Sequence, residues 1–219
     1  MNVKEFFERE DIIEGYKSWN PKAPNYVNFN IIQSLKPNKS VLSLGCGGGR
    51  EVKSLVEKGM NVTAIDISKG MIDKSKEIEP KANYFCEDAV IFARRNKGKL
   101  KFDYIIGLWS FLNLIKKEDR RELIENLYKM LKKDGTMIFE VRKFDEIFKV
   151  LIKVLVAPLF ALFFGEIKDY EFGDVWGRDI GSWTRWIKTH SYTNSQLKKL
   201  FNKFDVLINN SQIYIRRKK

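Results

Sequence analysis

The sequence holds one histidine, His190, and two cysteines, Cys46 and Cys86. Two isolated thiols form neither a disulfide framework nor the paired spacing of a zinc site. No metal is therefore expected, and the thiols suit a reducing compartment. Acidic residues are also in short supply, 28 against 40 lysines and arginines, leaving a net charge of +12. That balance favours polyanions or an anionic membrane surface as partners. The lysines are scattered over helix faces, however, as in many basic enzymes that bind no nucleic acid. Internal repeats and low-complexity tracts are lacking. So is any charge-free run of about twenty apolar residues. The most apolar stretch, 147–166, is interrupted by Lys149, Lys153 and Pro158. The N-terminal stretch is charged and amphipathic, unlike a signal peptide, and a cytoplasmic location is expected.

What the chain does have is a crowd of glycines in "VLSLGCGGGRE", residues 41–51. Around it, apolar runs alternate with helical periodicity. Helices are expected over 3–17, 26–35, 50–59, 69–78, 89–95 and 117–135. Strands are expected at 41–44, 61–66, 82–87, 102–109 and 136–141. Two more apolar runs, "KFDVLI" and "QIYIRR", flank "NNS" and form an antiparallel hairpin. The fold class is α/β. It is a doubly wound, mostly parallel seven-stranded sheet with an antiparallel C-terminal strand, helices on both faces and a helical insertion after the fifth strand. The expected domains are N-terminal helices over the active site (1–37), a nucleotide-binding core (38–143 and 193–219) and a substrate-capping insertion (144–192).

Glycine loses more backbone entropy on folding than any other residue, so its concentration at a strand end marks a sharp bend or a close ligand. In open parallel sheets ligands bind beyond the carboxyl ends of the strands. The helix that follows offers free amides to an anionic group. Gly45-x-Gly47-x-Gly49 departs from the dinucleotide pattern, because Arg50 stands at its third glycine position. The alternate glycines, with Cys46 between the first pair, resemble motif I of class I S-adenosylmethionine-dependent methyltransferases. The resemblance covers about 38–142 and the closing hairpin.

What the resemblance implies can be carried over residue by residue. S-adenosyl-L-methionine is the implied cofactor, with Gly45, Cys46, Gly47 and Gly49 packing against its amino-acid part. Asp66 accepts bonds from both ribose hydroxyls. Asp88 takes the adenine amino group, helped by the backbone of Ala89, and Ile67 and Met71 pack on the ring. Leu108 and Trp109 complete the cofactor site. Ser43 stands where the family commonly has an acid, so the charge that orients the loop or the cofactor's ammonium is missing from that position. Asp66 and Asp88 also suit simple helix caps, and Trp109 and Phe111 suit ordinary core.

Methyl transfer from a sulfonium needs alignment above all, and a general base only for a protonated acceptor. The Asp/Asn-Pro-Pro-aromatic motif of nucleic-acid amine methylation is absent from 107–115. Ser110, Phe111 and Asn113 are candidate walls of an acceptor pocket. Tyr16, Arg142, Trp183 and Trp186 are further substrate contacts, with Glu140 as an alternative. His190 is the candidate catalytic base, set against a structural role. The segment 147–165 has three readings: a lid, a membrane-surface helix or a dimer surface. The expected activity is methyl transfer to a small, hydrophobic or amphiphilic acceptor. An RNA (tRNA) methyltransferase, a non-catalytic cofactor-binding or regulatory protein, and a nicotinamide dehydrogenase are the alternatives. RNA and a membrane surface stay open as partners, as do acceptor identity, methylated atom and oligomeric state.

Overall fold

In a computed structural model that describes residues 2–15, 27–143, 174–178 and 186–217, the chain builds a seven-stranded sheet on the apolar runs read above. The central strand, β1 (Ser40–Leu44), is buried from Val41 to Leu44. A strand covered on both faces has no room for polar alternation. Next come α4 (Arg50–Glu57), β2 (Asn61–Asp66), α5 (Lys69–Ile78), β3 (Asn83–Cys86), α6 (Ala89–Asn96), β4 (Phe102–Gly107), α7 (Lys117–Lys129) and β5 (Leu131–Glu140). Before β1 lie α1 (Val3–Phe7), α2 (Glu10–Gly15) and α3 (Val27–Ser34). After β5 come β6 (Asp174–Arg178), β7 (Trp186–His190), α8 (Asn194–Leu200), β8 (Asp205–Asn209) and β9 (Gln212–Arg216).

The strand order is β3-β2-β1-β4-β5-β9-β8. The first five strands run parallel, with Leu44 opposite Ile65 and Ser43 opposite Ile106. β9 pairs antiparallel with both β5 and β8. This is the Rossmann-like architecture expected of the class I methyltransferase fold, antiparallel C-terminal strand included. Successive β1 residues supply opposite core layers. Leu42 and Leu44 pack with Phe92, Leu127 and Leu197 of α6, α7 and α8. Val41 packs with Ile31, Leu55 and Ile72 of α3, α4 and α5.

Several boundaries differ from the sequence expectation. The helix expected over 3–17 is broken at Glu8 into α1 and α2. The break lets the Glu8 carboxylate accept the Lys69 amide at 2.8 Å, at the start of α5. β4 stops at Gly107, because Trp109 and Ser110 turn left-handed, with φ of 55° and 61°. β5 begins at Leu131, which pairs with Phe102 although the leucine spacing assigned it to the helix. The described part of the insertion is an antiparallel hairpin, β6 with β7, in which Asp174 faces His190. Residues 147–165 and their three readings lie outside the described residues. Among the described residues, no helix is long and apolar enough to cross a membrane.

The end of the sheet away from the glycines is tied by one carboxylate. Asp103 on β4 accepts the Ser40 amide at 2.9 Å, the Ser40 hydroxyl at 2.7 Å and the Lys132 ammonium at 2.8 Å. It thereby joins β1, β4 and β5. Desolvation raises its proton affinity, but the bonds from Lys132 and Ser40 outweigh that and hold its carboxyl at about 2. A carboxyl depressed in the fold stabilises above its unfolded value and loses that contribution as pH falls through its folded value. Asp103→Asn is expected to cost about 1–3 kcal/mol at pH 7. In thermal melts the gap to wild type should close as pH falls from 4 toward 2.

Candidate functional site

At the carboxyl ends of β1, β2, β3 and β4 lies a cavity of about 460 Å³. Its floor is the bend after β1. The Cys46 amide still bonds the Ile65 carbonyl at 3.0 Å, so the chain leaves the sheet only at Gly47. A side chain on the bend would meet obstacles at both ends. At Gly45, with φ of +63°, a Cβ would lie 2.7 Å from the Phe111 ring. At Gly49, with φ of +86°, it would lie 2.9 Å from the Ser75 Cα. Gly49 also starts α4 without a side-chain cap.

Asp66, the last residue of β2, is 8 % exposed and lines the cavity. Its Oδ2 accepts the Gly47 amide at 2.8 Å and its Oδ1 the Ser68 amide at 2.9 Å. A carboxylate has about four lone-pair positions, so both oxygens keep acceptor capacity toward the cavity. Burial pushes its carboxyl above the ordinary carboxylate range, against the pull of those amides. Asp88 also does two things. Its Oδ1 caps α6 through the Val90 and Ile91 amides, at 2.8 and 3.2 Å, and the residue lines the cavity beside Ala89. Ile67 and Met71 form the wall between them. Ser68 caps α5, accepting the Met71 amide at 3.1 Å.

The opposite wall is Leu108, Trp109 and Phe111. Its left-handed turn costs about 1–3 kcal/mol per residue. The turn is held by the Trp109 amide, which donates to Glu140 Oε2 at 2.7 Å. The Arg50 guanidinium sits 3.9 Å over the Trp109 ring. Val3, Lys4 and Phe7 of α1 cover the cavity.

Eight of the sequence-derived candidates, Asp66, Ile67, Met71, Asp88, Ala89, Leu108, Trp109 and Phe111, thus lie together with Gly45, Cys46 and Gly47 around one space. Of the others, those whose side chains are described do not line it. Ser43 lies on β1, before the bend, and Gly49 ends the bend at the start of α4. Ser110 forms the left-handed turn. The Asn113 side chain brackets Arg142, donating to its carbonyl at 3.1 Å and accepting its amide at 3.0 Å, and also donates to the His190 carbonyl. Arg142 reaches Thr189. His190 is 2 % exposed, with Nδ1 2.8 Å from Asp174 Oδ1 and its ring edge-on to Tyr192. Lys188 meets the other oxygen of Asp174 at 3.3 Å. Tyr16 and Trp183 fall outside the described residues, and of Trp186 only the backbone is described.

One functional candidate escaped the sequence reading. Glu51, on the first turn of α4, is 5 % exposed and lines the cavity. The Ser43 hydroxyl donates to its Oε1 at 3.3 Å. Burial raises its carboxyl to about 7, outweighing its own backbone amide, Arg50 and Ser43, while Asp66 adds to the rise. The available signal was positional. Glu51 precedes buried Leu55 by four residues, on the helical face that amphipathic patterning reserves for apolar side chains. The Cys46 thiol is pushed well up, first by burial and then by Asp66 and Glu51, and is no nucleophile near neutral pH.

Residues 41–135 match the family described as a methyltransferase domain. The ubiquinone biosynthesis O-methyltransferase of Coxiella burnetii is 32 % identical over 124 residues, which are 55 % of this chain and 49 % of that protein. The chain spans about half the length of this curated relative. Among solved structures, an S-adenosylmethionine-dependent methyltransferase of Methanosarcina mazei superposes with a TM-score of 0.66 at 19 % identity. It covers 87 % of this chain and 95 % of its own. The magnesium protoporphyrin IX methyltransferase of Synechocystis, solved with bound S-adenosylhomocysteine, gives 0.63 at 14 % identity over 98 % and 97 % of the two chains. At these identities the structural likeness is one of fold.

Glu51 also predicts a pH effect on the ligand-free protein. A carboxyl raised from 4.5 to about 7 stabilises fully below 4.5, and that contribution is lost as pH rises through about 7. The ionised form is disfavoured by on the order of 3 kcal/mol. Glu51→Gln should therefore melt higher than wild type at pH 8 and coincide with it near pH 5. Differential scanning calorimetry at the two pH values checks this.

Proposed function

We propose, from the match of residues 41–135 to the family described as a methyltransferase domain, that the chain is a class I S-adenosylmethionine-dependent methyltransferase and transfers a methyl group from S-adenosyl-L-methionine to a small, hydrophobic or amphiphilic acceptor. The observation that carries this reading is the placement of the Asp66 carboxylate, which holds the glycine bend and faces the cavity with acceptor capacity to spare. A ribose with two adjacent hydroxyls matches that capacity.

The residues present suit the cofactor, a buried acid at the bend beside an apolar wall. Asp66 would take the ribose hydroxyls, and Asp88 with the Ala89 amide would take the adenine edge. Ile67 and Met71 supply an apolar face to the ring. The cofactor supplies an activated methyl on a sulfonium. The chain's own contribution is to fix the donor between the bend and the turn after β4, and to exclude water there with Leu108, Trp109 and Phe111. Alignment of this kind accounts for most of the rate that such a displacement needs. The His190 ring, buried against Asp174 and Tyr192, is not on the cavity wall, so this mechanism assigns it no proton transfer. The N-terminal helices and the segment 144–192 are the proposed covers of the acceptor side. The small-acceptor reading draws on the relative whose name places it in ubiquinone biosynthesis and on the apolar wall around Phe111.

Calorimetric titration tests the cofactor. S-adenosylmethionine and S-adenosylhomocysteine are expected to bind and NAD is not, with Asp66→Ala weakening both by at least about tenfold. NAD binding alone would replace the reading with a dehydrogenase. Labelled-methyl transfer into fractionated extract tests the acceptor. Counts are expected in the organic-soluble small-molecule fraction, and counts in RNA would establish the RNA alternative instead.

A further inference from the structure

The ribose and adenine contacts leave one buried charge of the cavity unused. Glu51 stands two residues after the last glycine of the bend, is almost wholly buried, and borders the cavity. An isolated carboxylate out of water is costly unless a cation comes to meet it. The charged and titratable groups that act on it are few. Arg50 precedes it on α4 and favours its ionisation. Asp66 on β2 opposes ionisation, and the Cys46 thiol of the bend and the Tyr84 phenol of β3 are raised by it in turn. Arg50 itself lies against Trp109 and lines the same cavity. Neighbouring Arg50 and Glu51 thus offer one cation and one anion to one space, the complement of a zwitterion. Ser43 carries no charge, but its hydroxyl fixes the Glu51 carboxyl from behind.

We propose that Glu51, oriented by Ser43, is the anion that holds the α-ammonium group of S-adenosylmethionine, with Arg50 facing the carboxylate of the same amino-acid end. The proposal rests on the cofactor reading above. It moves the acid missing from position 43 eight residues on, to the first turn of the following helix.

The test compares three ligands by direct binding: S-adenosylmethionine, S-adenosylhomocysteine and 5′-deoxy-5′-methylthioadenosine. The last keeps the nucleoside and the thioether but lacks the amino-acid end. Glu51→Gln is expected to weaken the first two by about tenfold to a hundredfold and to leave the third unchanged. Wild-type affinity for S-adenosylmethionine should rise about eightfold from pH 6 to pH 7.5, as a carboxyl at about 7 ionises. Methylthioadenosine should show no such rise, and neither should the variant. Unchanged binding of S-adenosylmethionine to Glu51→Gln would overturn the proposal. Equal weakening of all three ligands would too, because it marks a merely structural role. Should the variant fail to fold, the wild-type pH series decides alone. Failure of every ligand to bind wild type overturns the cofactor reading and this proposal with it. That result differs from nucleoside binding to which the amino-acid end adds nothing.

Discussion

The 2.8 Å hydrogen bond from the Gly47 amide to Asp66 couples the bend after β1 to the end of β2, and the cavity depends on it. The Cys46 amide sets where the chain leaves the sheet, and this bond fixes Gly47 beyond that point. The bond also holds a charged acceptor at the cavity's edge in a fixed orientation, with Ser68 closing the other side. Because Ser68 caps α5 as well, the floor, the acid and the helix behind them form one hydrogen-bonded unit. The Ser68 hydroxyl then donates to the Phe7 carbonyl at 3.0 Å, and Glu8 accepts the Lys69 amide. The α1 cover is therefore fastened to the same helix N-terminus as the floor. Few side chains set the shape of the site, and most act through backbone amides.

The two ends of the sheet divide the work. At the amino ends of β1 and β4, Asp103 gathers three donors and its charge is favoured by them. At the carboxyl ends, Asp66 and Glu51 are carboxyls whose charge burial disfavours. A structural ion cluster and a binding site thus leave opposite signatures in proton affinity, though both consist of acids at strand or helix ends. The left-handed pair Trp109 and Ser110 adds backbone strain beside the cavity.

How much of this was legible in the sequence depended on whether local chemistry decided the outcome. The parallel core was legible because buried strands have no polar alternation and α4 and α6 stop just before a glycine. Asp66 and Asp88 were legible because they stand at strand ends beside the glycine bend, and both line the cavity, with Asp88 capping α6 as well. Asn113 and Arg142 looked like pocket polar groups, but they form a bracket between the turn after β4 and β7, a tertiary pairing that no local spacing encodes. The break at Glu8 follows from an acceptor for the α5 amides sixty residues away, where periodicity alone sees a continuous helix. The start of β5 at Leu131 was hidden because a leucine spacing of four outweighed a pairing that exists only once β4 lies alongside.

Glu51 was hidden for a subtler reason, and that reason bears on function. Motif comparison looks for a charge at a fixed position, and position 43 has none. What the cavity requires is a charge at a place in space, and that place is reachable from the strand below or from the first turn of the helix above. In the second case the serine is a positioning group rather than a loss. The arrangement carries a thermodynamic consequence. An acid on the inner face of α4, behind the bend, is half-neutral near pH 7 until a cation arrives. The ligand-free protein is therefore less strained by charge than its residue count suggests, and the full carboxylate develops only when the cavity is filled. Buried acids that weaken the empty fold and strengthen the filled one are the form a stability–function compromise takes in this chain.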